Sequence, residues 1–171
     1  TDIFVHRARL CFLSGENCIL SSSHDIYSFT KETTLTELDT DPIDTPASNK
    51  ETANLRYAVP YNKELILFSR KFQHSLEGGT ILNNKTASIS IVTAYECSEY
   101  AKPASAGNNI FFTYEKGDFT GLREFYVNLS QVMDAEDITS YVSTYIPSGV
   151  YKIASSTLDN LVLLISDKTP N

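Results

Sequence analysis

Apolar runs separated by short polar turns dominate this chain, and the same pair of runs around one turn occurs four times. The second run of each pair is the clearer one: Cys18–Ser21, Leu65–Phe68, Ile110–Thr113 and Leu161–Ile165. These runs are only four or five residues long, rich in β-branched and aromatic residues, and bounded by turn residues, which favours strands over buried helix segments. Because the runs are unbroken rather than alternating, they predict strands that are covered on both faces.

The turns within the four pairs consist of small and polar residues. They are Ser14–Asn17, Tyr61–Glu64, Ser105–Asn109 and Ser155–Asn160. Gly107 lies in a tight turn ahead of a strand predicted to be buried, so replacing it with valine should impair folding if its φ is positive. Each turn therefore predicts a hairpin between the two apolar runs that it joins.

The hairpins recur at a nearly constant spacing. Steps of 48, 46 and 49 residues separate Leu10, Ala58, Ala104 and Ile153. This period is close to that of one four-stranded propeller blade. The sequence therefore predicts a mainly β fold of irregular, β-propeller-like repeats of antiparallel strands, with approximate repeats at 1–53, 54–100, 101–149 and 150–171. The last repeat is incomplete and Thr1 is not an initiator methionine, so we expect the chain to be part of a larger protein.

The connections between the repeats differ in character. Thr30–Ala53 is polar and contains two prolines, which predicts a long excursion over the surface with little core of its own. Leu76–Leu82 contains two glycines and predicts a hairpin turn between short strands. One short helix is predicted near 134–145, where Asp134 could cap a stripe at helical spacing. That stripe, which we expect to pack in the core, consists of Ile138, Tyr141, Val142 and Tyr145.

Charge and composition exclude several function classes. The chain has 21 acidic and 14 basic residues, a net charge of −7, and no basic stripe, so it lacks the electrostatic footprint of sequence-independent DNA binding. Its apolar runs are far shorter than the ~18 residues of a membrane-spanning helix. We therefore expect no specific DNA binding and no membrane span.

The residues able to carry chemistry are scattered. The three cysteines do not form a disulfide framework, and the first predicted hairpin pairs Leu13 with Cys18, so buried, reduced thiols are expected. The acidic run 39–44 is predicted to be a surface turn, because Asp44 and Lys50 stand where an EF-hand loop needs a glycine and a glutamate. None of the histidines, at positions 6, 24 and 74, lies in the setting of a nucleophile elbow. We expect no catalytic residues, no metal site and no cofactor.

An ordered series of short motifs resembles one protein family along nearly the whole chain. The series includes Phe12-Leu13-Ser14, Asp41-Pro42-Ile43-Asp44, Tyr57-Ala58-Val59-Pro60-Tyr61, Arg123-Glu124-Phe125-Tyr126-Val127 and Tyr145-Ile146-Pro147. In this order they resemble tubular tail protein B, the nozzle protein of short-tailed bacteriophages. Each motif is weak by itself, but their succession is fairly specific.

The resemblance implies a non-enzymatic structural protein in the virion tail. It implies an irregular β-propeller in a homo-oligomer of six copies, which forms the tail tube below the portal and its adaptor and surrounds the channel through which DNA leaves. The implied partners are the tail adaptor protein, tail fibres, and genomic DNA that passes without specific binding. Two alternatives stay open: a non-enzymatic propeller that serves as a protein-interaction platform, and a tail-associated enzyme that degrades polysaccharide.

Overall fold

A computed structural model describes residues 2–33, 35–48, 52–62 and 64–168 of the chain. The described strands are β1 (Ile3–His6), β2 (Arg9–Ser14), β3 (Asn17–Leu20), β4 (Ile43–Pro46), β5 (Leu55–Tyr61), β6 (Glu64–Ser69), β7 (Gln73–Glu77), β8 (Ser88–Thr93), β9 (Ala104–Ala106), β10 (Asn109–Lys116), β11 (Phe119–Val127), β12 (Met133–Asp137), β13 (Val150–Ser156) and β14 (Leu161–Ser166). The only helical element in the described part is a 3₁₀ turn, Ser140–Val142. The fold is therefore mainly β, as predicted.

The strands form four sheets in chain order, β1–β4, β5–β8, β9–β12 and β13–β14. Within each of these sheets, strands that are consecutive in sequence lie side by side, so none of the described sheets contains a crossover. The chain divides into two compact units. Unit 1 comprises residues 1–69 and 73–92, and unit 2 comprises residues 70–72 and 93–171.

The four predicted hairpins are all present. Across the first turn Leu13 pairs with Cys18, as its two-residue length predicts, and Tyr61 pairs with Glu64 at the second turn. Gly107 has a φ of +60°, so the condition under which valine should impair folding at the third turn is met. Such a two-residue connection needs positive φ because its twist must match that of the strands.

Unit 1 has a core between its two sheets. The residues that β2, β3 and β4 direct to one face alternate with more exposed ones, and they meet the inner face of the second sheet. The buried members of this core are Cys11, Leu13, Cys18, Leu20, Ile43, Leu55, Ala58, Leu65, Leu67, Leu76, Leu82 and Ile89. All four residues of the apolar run Leu65–Phe68 are fully buried, as predicted for a strand covered on both faces.

Arg9 holds the long connection between β3 and β4 against unit 1. Its side chain is almost fully buried and donates hydrogen bonds of 2.7 Å to the carbonyl oxygens of Ser21, Asp39 and Asp41. A planar guanidinium group can satisfy several diverging acceptors at once, which an ammonium group cannot do with the same geometry. The buried Arg9 side chain thereby fixes both ends of the polar connection between β3 and β4.

Three expectations, two about connections and one about the last strand, are wrong in part. The excursion 30–53 contains strand β4, whose Ile43 enters the core because it pairs with Leu20 on β3. The predicted hairpin turn at 76–82 does not lead directly into a strand, since β8 begins only at Ser88. The outward-facing residues of β14 are exposed, so this strand is covered on one face only within the described chain.

The predicted helix near 134–145 is wrong. Residues 133–137 form β12, which pairs with β11 at five positions, so sheet hydrogen bonds replace those of a helix. The Asp134 carboxylate accepts from the Tyr95 hydroxyl and the Ala135 amide instead of capping a helix. The stripe Ile138, Tyr141, Val142 and Tyr145 is exposed rather than buried in the core. Tertiary pairing has here overridden a helical spacing of apolar residues.

Candidate assembly surface

The three histidines lie on different elements of the described chain. His74 is fully buried on β7 opposite Leu67, and burial lowers its pKa. His6 lies on β1, where burial and the neighbouring Arg7 lower its pKa, and His24 lies in the exposed β3–β4 connection. Across the described ranges no group of three or more His, Cys, Asp or Glu side chains is arranged to hold a metal ion.

The three cysteines are buried free thiols, as the sequence predicts. Burial raises the pKa of Cys11 to about 11 and that of Cys18 and Cys97 to about 12. Because the thiolate is the reactive form, these side chains are protonated and unreactive at neutral pH. They act as small apolar residues in the cores of their units.

Unit 2 contains an open cleft with acidic walls. Its volume is about 260 Å³, and it is lined by Arg70, Glu96, Glu99, Glu115 and neighbouring main chain. Of these side chains, Glu96 and Glu115 are exposed to solvent. No helix in the described residues has the length and apolar character needed to cross a membrane.

A stacked polar cluster organises the sheet β9–β12 at its β12 edge. The Arg123 guanidinium carbon lies 4.7 Å from the centroids of both the Tyr95 and Tyr114 rings. The Tyr95 hydroxyl donates to Asp134 at 2.7 Å and the Tyr114 hydroxyl donates to Asp137 at 2.5 Å. These cation–π contacts and charge-assisted hydrogen bonds join strands β10, β11 and β12 and the β8–β9 connection.

The cluster also perturbs its own titratable groups. The hydrogen bond to Asp134 raises the pKa of Tyr95, and burial raises the pKa of Tyr114. Burial acts against ionisation of Asp137, but hydrogen bonds from Tyr114 and Thr139 outweigh it and lower the pKa of this carboxyl. Hydrogen bonds from Tyr95 and from the Ala135 amide likewise lower the pKa of Asp134, so both carboxylates are ionised at neutral pH and accept these hydrogen bonds.

This cluster anchors the start of the connection between β12 and β13. The Asp137 carboxylate accepts hydrogen bonds from the amide and the hydroxyl of Thr139, at 2.9 and 2.7 Å. The Thr139 hydroxyl in turn accepts from the Leu122 amide, and the Ile138 amide donates to the Leu122 carbonyl. The chain is thus held on β11 until it reaches residue 139.

The far end of the same connection is anchored at the start of β11. The Thr120 amide donates to the Ile146 carbonyl at 2.9 Å, and the Thr120 hydroxyl donates to the Pro147 carbonyl at 3.1 Å. The Ser148 amide donates to the Asp118 carbonyl at 3.1 Å. Residues 138–145, called here the 138–145 segment, therefore project from two fixed points rather than from a free loop.

The 138–145 segment carries two exposed tyrosines and two exposed aliphatic side chains. Tyr141 is 99% exposed and Tyr145 is 77% exposed, and Ile138 and Val142 are also exposed. Hydrogen bonds from the Val142 amide to the Thr139 carbonyl, and from the Tyr145 amide to the Val142 carbonyl, hold the turn. Exposed, preorganised tyrosines beside aliphatic side chains are typical of the anchors of protein–protein interfaces.

The sequence contains an indication of this exposed surface, and it is a lack of charged residues rather than the helical spacing that predicts a helix. Residues 138–151 form the longest stretch of the chain without a charged side chain, between Asp137 and Lys152. The stretch contains three tyrosines along with serine, threonine and glycine. Depletion of charge, not helical spacing, was the informative feature of this stretch.

Two further apolar surfaces are exposed on edge strands. On β14 the outward face carries Leu161, Leu163 and Ile165, while Val162 and Leu164 pack inward with Ile153 and Ala101 of unit 2. On β1 of unit 1, Ile3 and Val5 point outward. Apolar residues in rows of this kind mark surfaces that a partner covers more often than scattered single side chains do.

Comparison with known proteins gives one family and one curated relative. A family model described as bacteriophage nozzle protein matches residues 1–171. The tail tubular protein gp12 of Escherichia phage T7 is 36% identical over 172 residues, which cover 99% of this chain. The chain spans 22% of the length of that relative.

The match extends over the whole chain and agrees with the resemblance carried by the sequence motifs. Both the family and the relative are structural proteins of the phage virion tail, not enzymes, so the polysaccharide-degrading alternative is not supported. The chain belongs to the bacteriophage nozzle protein family.

Proposed function

We propose that this chain forms part of the wall of a phage tail tube through which DNA is ejected, below the portal and its adaptor. The observation that carries the proposal is the family match along all 171 residues. A wall of this kind needs rigid subunits and extensive contacts rather than a reactive site. Sheets with buried strands and aromatic surface segments meet that need.

The sheets are proposed to be blades of an irregular β-propeller-like protein. Three consecutive sheets contain four strands each, and every strand lies beside the next one in sequence, as in the blades of propellers. The proposed repeats are 1–53, 54–100, 101–149 and 150–171. In this arrangement the pair β13–β14 belongs to the fourth repeat, 150–171.

The tube is proposed to be a ring of copies of the nozzle protein, six in number as the family resemblance implies. In a cyclic ring each copy presents one surface to the copy before it and a different surface to the copy after it. The further partners proposed are the adaptor protein above and tail fibres beside the ring.

The net charge of −7 favours a conduit that does not retain DNA. An acidic surface repels the phosphate backbone, whereas a surface that binds DNA gains affinity by releasing counterions from it. Passage of the genome requires the first property. The proposed relation to DNA is therefore enclosure without specific binding.

Electron microscopy of the full-length nozzle protein from the same phage tests this function. The protein is imaged alone and after mixing with purified tail components of that phage. A ring or short tube with six-fold symmetry and an open axial channel is expected, with the 171 residues in its wall. Particles that stay monomeric and never join a tail, or a ring in which these residues lie away from the channel wall, would contradict the proposal.

A further inference from the structure

We draw no further inference here: the strongest candidate, the surface of the 138–145 segment with its exposed Tyr141 and Tyr145 side chains, carries none because nothing in the structure shows what covers it.

Discussion

Gly121 is a position where one methyl group should damage unit 2. The residue lies on β11 directly across from Tyr114 on β10. A Cβ atom at residue 121 would lie 2.2 Å from a ring carbon of Tyr114 and 2.6 Å from its hydroxyl oxygen. The ring cannot move aside freely, because its face contacts the Arg123 guanidinium group and its hydroxyl donates to Asp137.

The cost of Gly121→Ala follows from these contacts. Overpacking a filled site costs about 1–3 kcal/mol. A displaced ring would also give up a hydrogen bond to a carboxylate, of about 1.5–3 kcal/mol, and a cation–π contact of about 0.5–1 kcal/mol. We therefore expect the free energy of unfolding to fall by about 3 kcal/mol or more, although alanine is ordinarily favoured over glycine in a strand.

A double-mutant cycle with Tyr114→Ala tests the reason as well as the size of the effect. Without the ring, Gly121→Ala should cost less than about 0.5 kcal/mol, so the coupling between the two positions should reach about 2–3 kcal/mol. Urea unfolding followed by far-UV circular dichroism measures all four proteins; the chain has no tryptophan to serve as a fluorescent probe. Additive effects, or a loss below about 1 kcal/mol for Gly121→Ala alone, would refute the steric argument.

Three further predictions concern the backbone, a buried cation and pH. At Gly107, where φ is +60° and the space is open, valine should lower stability by about 1–2 kcal/mol in urea unfolding and asparagine by clearly less, since only backbone strain is involved; equal effects would contradict this. Replacing Arg9 with lysine should cost about 2–3 kcal/mol and speed amide hydrogen exchange at residues 38–41, because a point charge cannot serve the diverging carbonyls; unchanged exchange would count against it. Burial lowers the pKa of His74, so its contribution to stability is complete above the ordinary pKa of 6.5 and falls as the pH drops from there toward the folded value, by at most about 1.4 kcal/mol per pH unit; unfolding free energies from pH 8 to 5 should show a shallower fall in His74→Gln, and an identical slope would exclude His74 as a cause.

The hairpins could be predicted because their determinants are local. A two-residue turn fixes the register of both strands, so the facing of Leu13 and Cys18 follows once the turn is recognised. The full burial of Leu65–Phe68 follows from an unbroken apolar run bounded by turns. The positive φ of Gly107 follows from the same turn chemistry.

The features that could not be predicted depend on partners distant in sequence. Nothing near Arg9 indicates that its guanidinium group reaches carbonyls about thirty residues away, at Asp39 and Asp41. Asp134 has the right identity for a helix cap, but pairing with β11 and the hydroxyl of Tyr95 determines its conformation. In both cases a tertiary contact decides between two locally acceptable structures.

The cost of a substitution in folding follows from how the strands and connections are used. A strand such as β6 has both faces occupied by packing within the chain. The β12–β13 connection differs, because its ends are held on β11 while the Tyr141 side chain is exposed. Truncation of Tyr141 to alanine should therefore change the free energy of unfolding by less than about 0.5 kcal/mol, whereas truncation of Leu67 on β6 should lower it by about 2–5 kcal/mol. Urea unfolding of both variants measures the difference, and equal losses would contradict the argument.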